Sequence, residues 1–223
     1  METAGRISIV LLAIVMGSIV FNWRYIKQGY WILATYCILI FIYELSLAIT
    51  SQLKVNNHFI ANIHSLIYFP LAFFLLFRIY ANFYKNRKSL LIIQIVLALL
   101  VVMGWVVDNL IMGNLILFNS MMPWAASVVL LIGCVYLINV LIFTRSGDFF
   151  KDPDVLITGG ILVRSLIWTF SLWLLDFSSG FNKDFVLELL LFANVGLCIS
   201  DLFFIYAVTR IAATKRIKKV ARD

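Results

Sequence analysis

The chain has 223 residues, of which 63% are hydrophobic and 13% charged, with a formal net charge of +7. An average soluble domain is about 45–50% apolar and about 25% charged. A water-soluble globule and a disordered chain are therefore both excluded, in keeping with a mean hydropathy of +1.01. In a soluble protein the basic excess would suggest nucleic acid. Here it follows from the bias of Lys and Arg toward cytoplasmic loops, so the partner implied is the lipid bilayer and not a nucleic acid.

A membrane helix needs about 20 predominantly apolar residues. Seven such stretches run at about 7–23, 30–50, 59–80, 89–107, 121–143, 155–175 and 185–210. They predict an all-α fold class: a polytopic seven-transmembrane-helix bundle over residues 1–211, followed by a basic cytoplasmic tail over 212–223. Too little chain remains for a kinase, nucleotide-binding or DNA-binding module within these residues. The first stretch has only Arg6 before it and no A-x-A site after it, so it reads as a retained helix and not a signal peptide.

The second span carries Glu44 near its outer end, in YELSLAIT. The third opens with His58 and NIHSLIY, where Asn62, His64, Ser65 and Tyr68 form a polar stripe at helical spacing. Pro70 falls inside this span and predicts a kink. Pro123 opens the fifth span, where a missing N–H costs little. Gly159 and Gly160 in the sixth span predict close helix packing. The sixth span also holds Arg164, and the seventh holds Glu188, Asn194 and Asp201.

Basic residues set the orientation. The loops at 24–29, 78–88 and 144–154, together with the chain from Arg210 onward, hold fourteen Lys and Arg, against three on the other side (Arg6, Lys54, Lys183). This predicts the N-terminus outside and the C-terminus in the cytoplasm. Trp23 and Trp31 flank the first inner loop, and Trp105, Trp124 and Trp173 fall at outer ends, as expected of interfacial indoles.

Ionisable side chains in hydrocarbon are costly and are functional candidates by default. At 1.5 Å of rise per residue, Arg164 and Asp201 lie at similar depth near the midplane, so an intramembrane ion pair is expected, with Asn194 on the same helix face. The pair either pins helix six to helix seven or serves a switch or ligand. Glu44, Asn62, His64, Tyr68 and Glu188 are the candidates for a small outer, ligand-binding pocket, suited to a cationic or polar ligand or a proton. The other reading of Glu44 is a plain interhelical hydrogen bond, and Glu188 lies close enough to the interface to face water.

No metal site is expected, since the two histidines, six residues apart, do not share a helix face and a zinc site usually needs three protein ligands. The three cysteines, Cys37, Cys134 and Cys198, lie in apolar stretches with no disulfide or zinc spacing and read as small core residues. No lysine lies inside a span, so no retinal Schiff base forms. There is no Gly-rich phosphate loop, HExxH or GxSxG. No catalytic residue and no cofactor is expected, and the chain is not read as an enzyme. Lys215, Arg216, Lys218, Lys219 and Arg222 make the tail a lipid-held anchor or a docking helix for a cytoplasmic partner.

The order of these features, FIYELSLAIT, then NNHFIANIHSLIYFPLAFFLL, then YKNRKS, then KDPDVLITGGILVRSLIW, resembles a group of uncharacterised seven-helix proteins of Bacteroidota-type bacteria. The resemblance covers most of residues 30–210. The group often has an aromatic pair before the sixth span and a tyrosine near position 164. Here those places read VLI and Arg164, so an Arg164–Asp201 pair is not implied by the resemblance. Such proteins are often associated with sensor kinases or regulators. The resemblance implies a sensory or accessory subunit of the bacterial inner membrane with a cytoplasmic regulator or sensor kinase as partner.

Three functional readings stay open on sequence. One is a receptor-like subunit that signals through a separate cytoplasmic protein. A second is a small-solute transporter with a midplane site at Arg164, Asp201 and Asn194. The third is an assembly subunit in a homo- or hetero-oligomer.

Overall fold

The computed structural model describes residues 2–27, 29–53, 58–80, 87–107, 110, 121–143, 149–176 and 183–220. Among these, every regular element is helical: α1 (Glu2–Phe21), α2 (Trp23–Ile26), α3 (Trp31–Gln52), α4 (His58–Tyr80), α5 (Arg87–Val106), α6 (Met121–Phe143), a 3₁₀ turn (Phe149–Lys151), α7 (Pro153–Asp176) and α8 (Lys183–Val220). The long helices coincide with the apolar runs, shifted by five residues or fewer at their ends, except that α8 runs ten residues past its stretch. Four contain stretches long and apolar enough to cross a membrane: Trp31–Thr50, Trp124–Ile142, Pro153–Phe170 and Leu191–Ile217. Shorter apolar stretches, Ile7–Phe21, Leu66–Ile79 and Leu91–Val106, lie in α1, α4 and α5.

Helix α8 continues without a break past residue 211 to Val220, so the basic segment is the helical extension of the last span. The segment after Ile211 is rich in Ala, Lys and Arg and contains no Gly or Pro, so nothing in it ends a helix.

Helix α7 lies at the heart of the packing, between α6 and α8. Helix α1 packs on α8 and α3, α3 on α4, and α4 on both α5 and α6. Small residues permit the close approach, as expected for helices in lipid. A Cβ on Gly160 would lie 2.8 Å from the Phe204 ring, and one on Gly133 would lie 2.6 Å from Leu162. The Ser200 hydroxyl donates to the Gly160 carbonyl at 2.8 Å, binding α8 to α7 directly. The start of α7 is also explicable: Pro153 takes the first helical position, while the Asp152 carboxylate accepts from the Asp154 amide at 2.9 Å. Pro70 lies within α4 and withholds the amide that would otherwise meet the Leu66 carbonyl.

The interior and the outside are both apolar. Leu12, Leu33, Ile40, Leu76, Ile157 and Phe204 are buried, whereas Ile92, Leu100, Met103, Leu131 and Ile142 are more than half exposed. Such a surface opposes solution in water at about 25 cal/mol per Å², and suits hydrocarbon. These are the helices of a membrane protein. Cys37 is buried as expected, but Cys134 is exposed and Cys198 half-buried. An apolar stretch in lipid need not face the core, which corrects the reading of all three as core residues.

Candidate functional site

A charged centre forms where α7, α8, α3 and α1 meet. Arg164 projects from the middle of α7. Its Nη2 donates to Asp201 Oδ1 at 2.7 Å, and its Nη1 donates to Glu44 Oε1 at 3.4 Å. The Ser8 hydroxyl of α1 donates to the second Asp201 oxygen at 3.1 Å. The Arg164 and Asp201 side chains are 1% and 0% exposed, while Glu44 retains 14%. Asp201 is thus held on both oxygens. Glu44 has one long contact, and no other described hydrogen bond reaches its carboxylate. Arg164 Nε is buried and has no acceptor among the described residues.

An aromatic wall lines the α3–α4 side. The Tyr36 hydroxyl donates to the Tyr68 hydroxyl at 2.8 Å. His64 stacks on Tyr43, with ring centroids 3.7 Å apart and planes 11° off parallel, and Tyr43 stands 6.0 Å from Trp168. Phe204 meets Tyr36 edge-on at 5.7 Å. From there toward the end of the bundle that carries Tyr30 and Arg210, side chains such as Leu33, Leu76, Ile157 and Val208 are buried.

The positions of the candidate residues change how they group. The outer set and the midplane set were expected to be separate, but Glu44 contacts Arg164, so they form one centre. His64 and Tyr68 belong to its wall. Glu188 is exposed and does not converge on the others. It lies 13 residues before Asp201, which is about 140° around the helix. Asn194 is half-buried on the Asp201 face. The Asn62, Lys218 and Lys219 side chains and residue Arg222 lie outside what the structure describes. Among the described residues, no group of three or more His, Cys, Asp or Glu side chains is placed to hold a metal ion.

Sequence reasoning missed Ser8, which sits in an apolar run with no neighbouring signal. It also missed the docking of the basic end of α8. Lys215 Nζ donates to the Tyr25 carbonyl at 2.5 Å and lies 5.7 Å from the centre of the Tyr30 ring. Arg216 donates to Asn22 Oδ1 at 3.4 Å and lies over Tyr25 at 5.6 Å. Gly29, at φ +155, makes the turn beside Lys215, a conformation open to glycine. A cavity of about 190 Å³ adjoins it, lined by Gly29, Tyr30, Leu75, Arg78, Ile79 and Asp154.

Fold and site together define an all-helical membrane protein with a buried charged centre built from four helices. Compared with known protein families, characterised proteins and solved structures, the chain matches no family model, no curated protein and no solved structure.

Proposed function

We propose that the chain is a receptor-like sensory or accessory subunit. It would span the bacterial inner membrane seven times, with its N-terminus outside and its C-terminus in the cytoplasm, and signal through a separate cytoplasmic regulator or sensor kinase. One observation carries the reading: α8 bears Asp201 of the charged centre and, fourteen residues further on, Lys215 of the inner contact with α2. Helix α1 repeats the arrangement, with Ser8 on Asp201 and, just beyond its end, Asn22 on Arg216. A change at the centre therefore has a direct mechanical route to the basic inner end. The distribution of Lys and Arg supports the orientation, and the resemblance noted above supports the partner class.

A signal requires a ligand with different affinity for two states. Here the two states would differ in whether Lys215 and Arg216 rest on α2 or are free to meet a partner. The experiment is recovery of partners in mild detergent from the whole chain and from one ended after Ile211, followed by mass spectrometry. A cytoplasmic regulator or kinase bound by the whole chain and lost on truncation is the expected result. Recovery of the same proteins with both chains would overturn the reading.

A second reading is solute transport through the Arg164 region, favoured by the partial exposure of Glu44. Against it stands the apolar filling between the centre and the cytoplasmic side, since a permeation path needs polar lining at each level.

A further inference from the structure

The charged centre does not balance. Arg164 contributes one permanent positive charge, because a guanidinium is not deprotonated in proteins. Glu44 and Asp201 contribute two carboxylates. With both ionised, one negative charge would be left over in surroundings where an uncompensated ion costs several kcal/mol. Two carboxylates sharing one site hold a proton between them for the same reason.

The contacts show which carboxylate is the ion. Asp201 takes the short bond from Arg164 on one oxygen and the Ser8 hydroxyl on the other, the arrangement of a fully satisfied carboxylate. Glu44 has only the 3.4 Å contact and is the more exposed of the two. Around the Glu44–Arg164–Asp201 centre stand Tyr36, Cys37 and Tyr43 on α3, His64 and Tyr68 on α4, Ser8 on α1, Ser165 on α7 and Cys198 on α8. His64 is the other group able to supply a positive charge, but its described contacts are ring stacking on Tyr43 and Tyr68, not a bond to either carboxylate. A metal ion would need several converging oxygens, whereas the two carboxylates lie on different arms of the guanidinium.

We propose that Glu44 is a proton-binding site: it carries a proton while Arg164 and Asp201 are paired, and loss of that proton is the event the bundle senses. The inference rests on the sensory reading above and names its ligand. In the step, the Glu44 O–H bond breaks, the proton passes to water, and the electron pair stays on the carboxylate. The new anion then competes with Asp201 for Arg164. Asp201 is held less tightly, and α8 is freed to move relative to α7 and α1. An acid exterior keeps the inner end docked, and an alkaline one releases it.

The test is infrared difference spectroscopy of the full chain in lipid, between acid and alkaline buffer. Expected is a single protonated-carboxyl band that is lost on alkalinisation and absent in Glu44→Gln. In Asp201→Asn the band should be missing at neutral pH, because one carboxylate then faces one guanidinium and needs no proton. A band surviving in Glu44→Gln would overturn the assignment. So would the lack of any band in the wild-type chain, with the balancing charge then on His64 or a metal ion. So too would a transition that follows sodium concentration at constant pH. The detergent recovery experiment is independent of this band: a normal band with no tail-dependent partner overturns the sensory reading and leaves the proton site standing.

Discussion

Replacing Arg164 with leucine tests the charged centre most severely. The side chain is 1% exposed and its partner Asp201 0% exposed, so water screens neither. Removal of the guanidinium leaves Asp201 with only the Ser8 hydroxyl and leaves Glu44 with no described donor. Breaking a buried pair from one side costs about 3–5 kcal/mol. At about 1.4 kcal/mol per factor of ten, this lowers the folded-to-unfolded ratio by about two to four orders of magnitude. The penalty comes from stranded charge and not from lost packing, so the triple variant Glu44→Gln, Arg164→Leu, Asp201→Asn should recover most of it. Reversible unfolding in mixed micelles, followed by tryptophan fluorescence, measures both. An Arg164→Leu chain within about 1 kcal/mol of wild type, the worth of an exposed pair, would refute the burial argument. A triple variant as unstable as the single one would place the loss in packing instead.

Other substitutions probe separate parts of the structure. Gly160→Ala drives a Cβ to 2.8 Å from the Phe204 ring and should cost about 1–3 kcal/mol by overpacking. Gly17→Ala, whose Cβ would meet nothing within 4 Å, should not destabilise, and the same unfolding assay compares them. Tyr36→Phe removes the donor to Tyr68 at 2.8 Å and should cost about 1 kcal/mol; an unchanged unfolding midpoint would count against that bond. Lys215→Ala removes the contact with the Tyr25 carbonyl, so amide hydrogen exchange over 212–217 should quicken; unchanged exchange there would count against the contact.

Helix placement was legible because the lengths and apolar runs of membrane helices follow from the thickness of the bilayer. The partnership of Arg164 with Asp201 was legible for a related reason: counting residues along sequence-adjacent helices gives depth. Depth does not tell which non-adjacent helices touch. Glu44 lies on α3 and Arg164 on α7, and nothing in either local sequence brings them together, so Glu44 was grouped by depth with other residues of the outer half, Glu188 among them. Ser8 carries even less signal, since a single serine can equally bond its own helix backbone, as Ser46 does to the Ile42 carbonyl. The run after Ile211 was legible as basic from its charge, and its Ala, Lys and Arg content favours the helix it forms.

The length of α8 has a geometric consequence. Its 38 residues make a rod of about 57 Å, well beyond the roughly 30 Å hydrocarbon core of a bilayer. Val220 stands nineteen residues past Asp201, about 28 Å along the axis. A tilt of about 5° pivoting at Asp201 would carry that end sideways by about 2.5 Å on the same helical rise, close to the length of a hydrogen bond. A small change of tilt would thus be enlarged along the rod into a displacement large enough to make or break a contact at the far end.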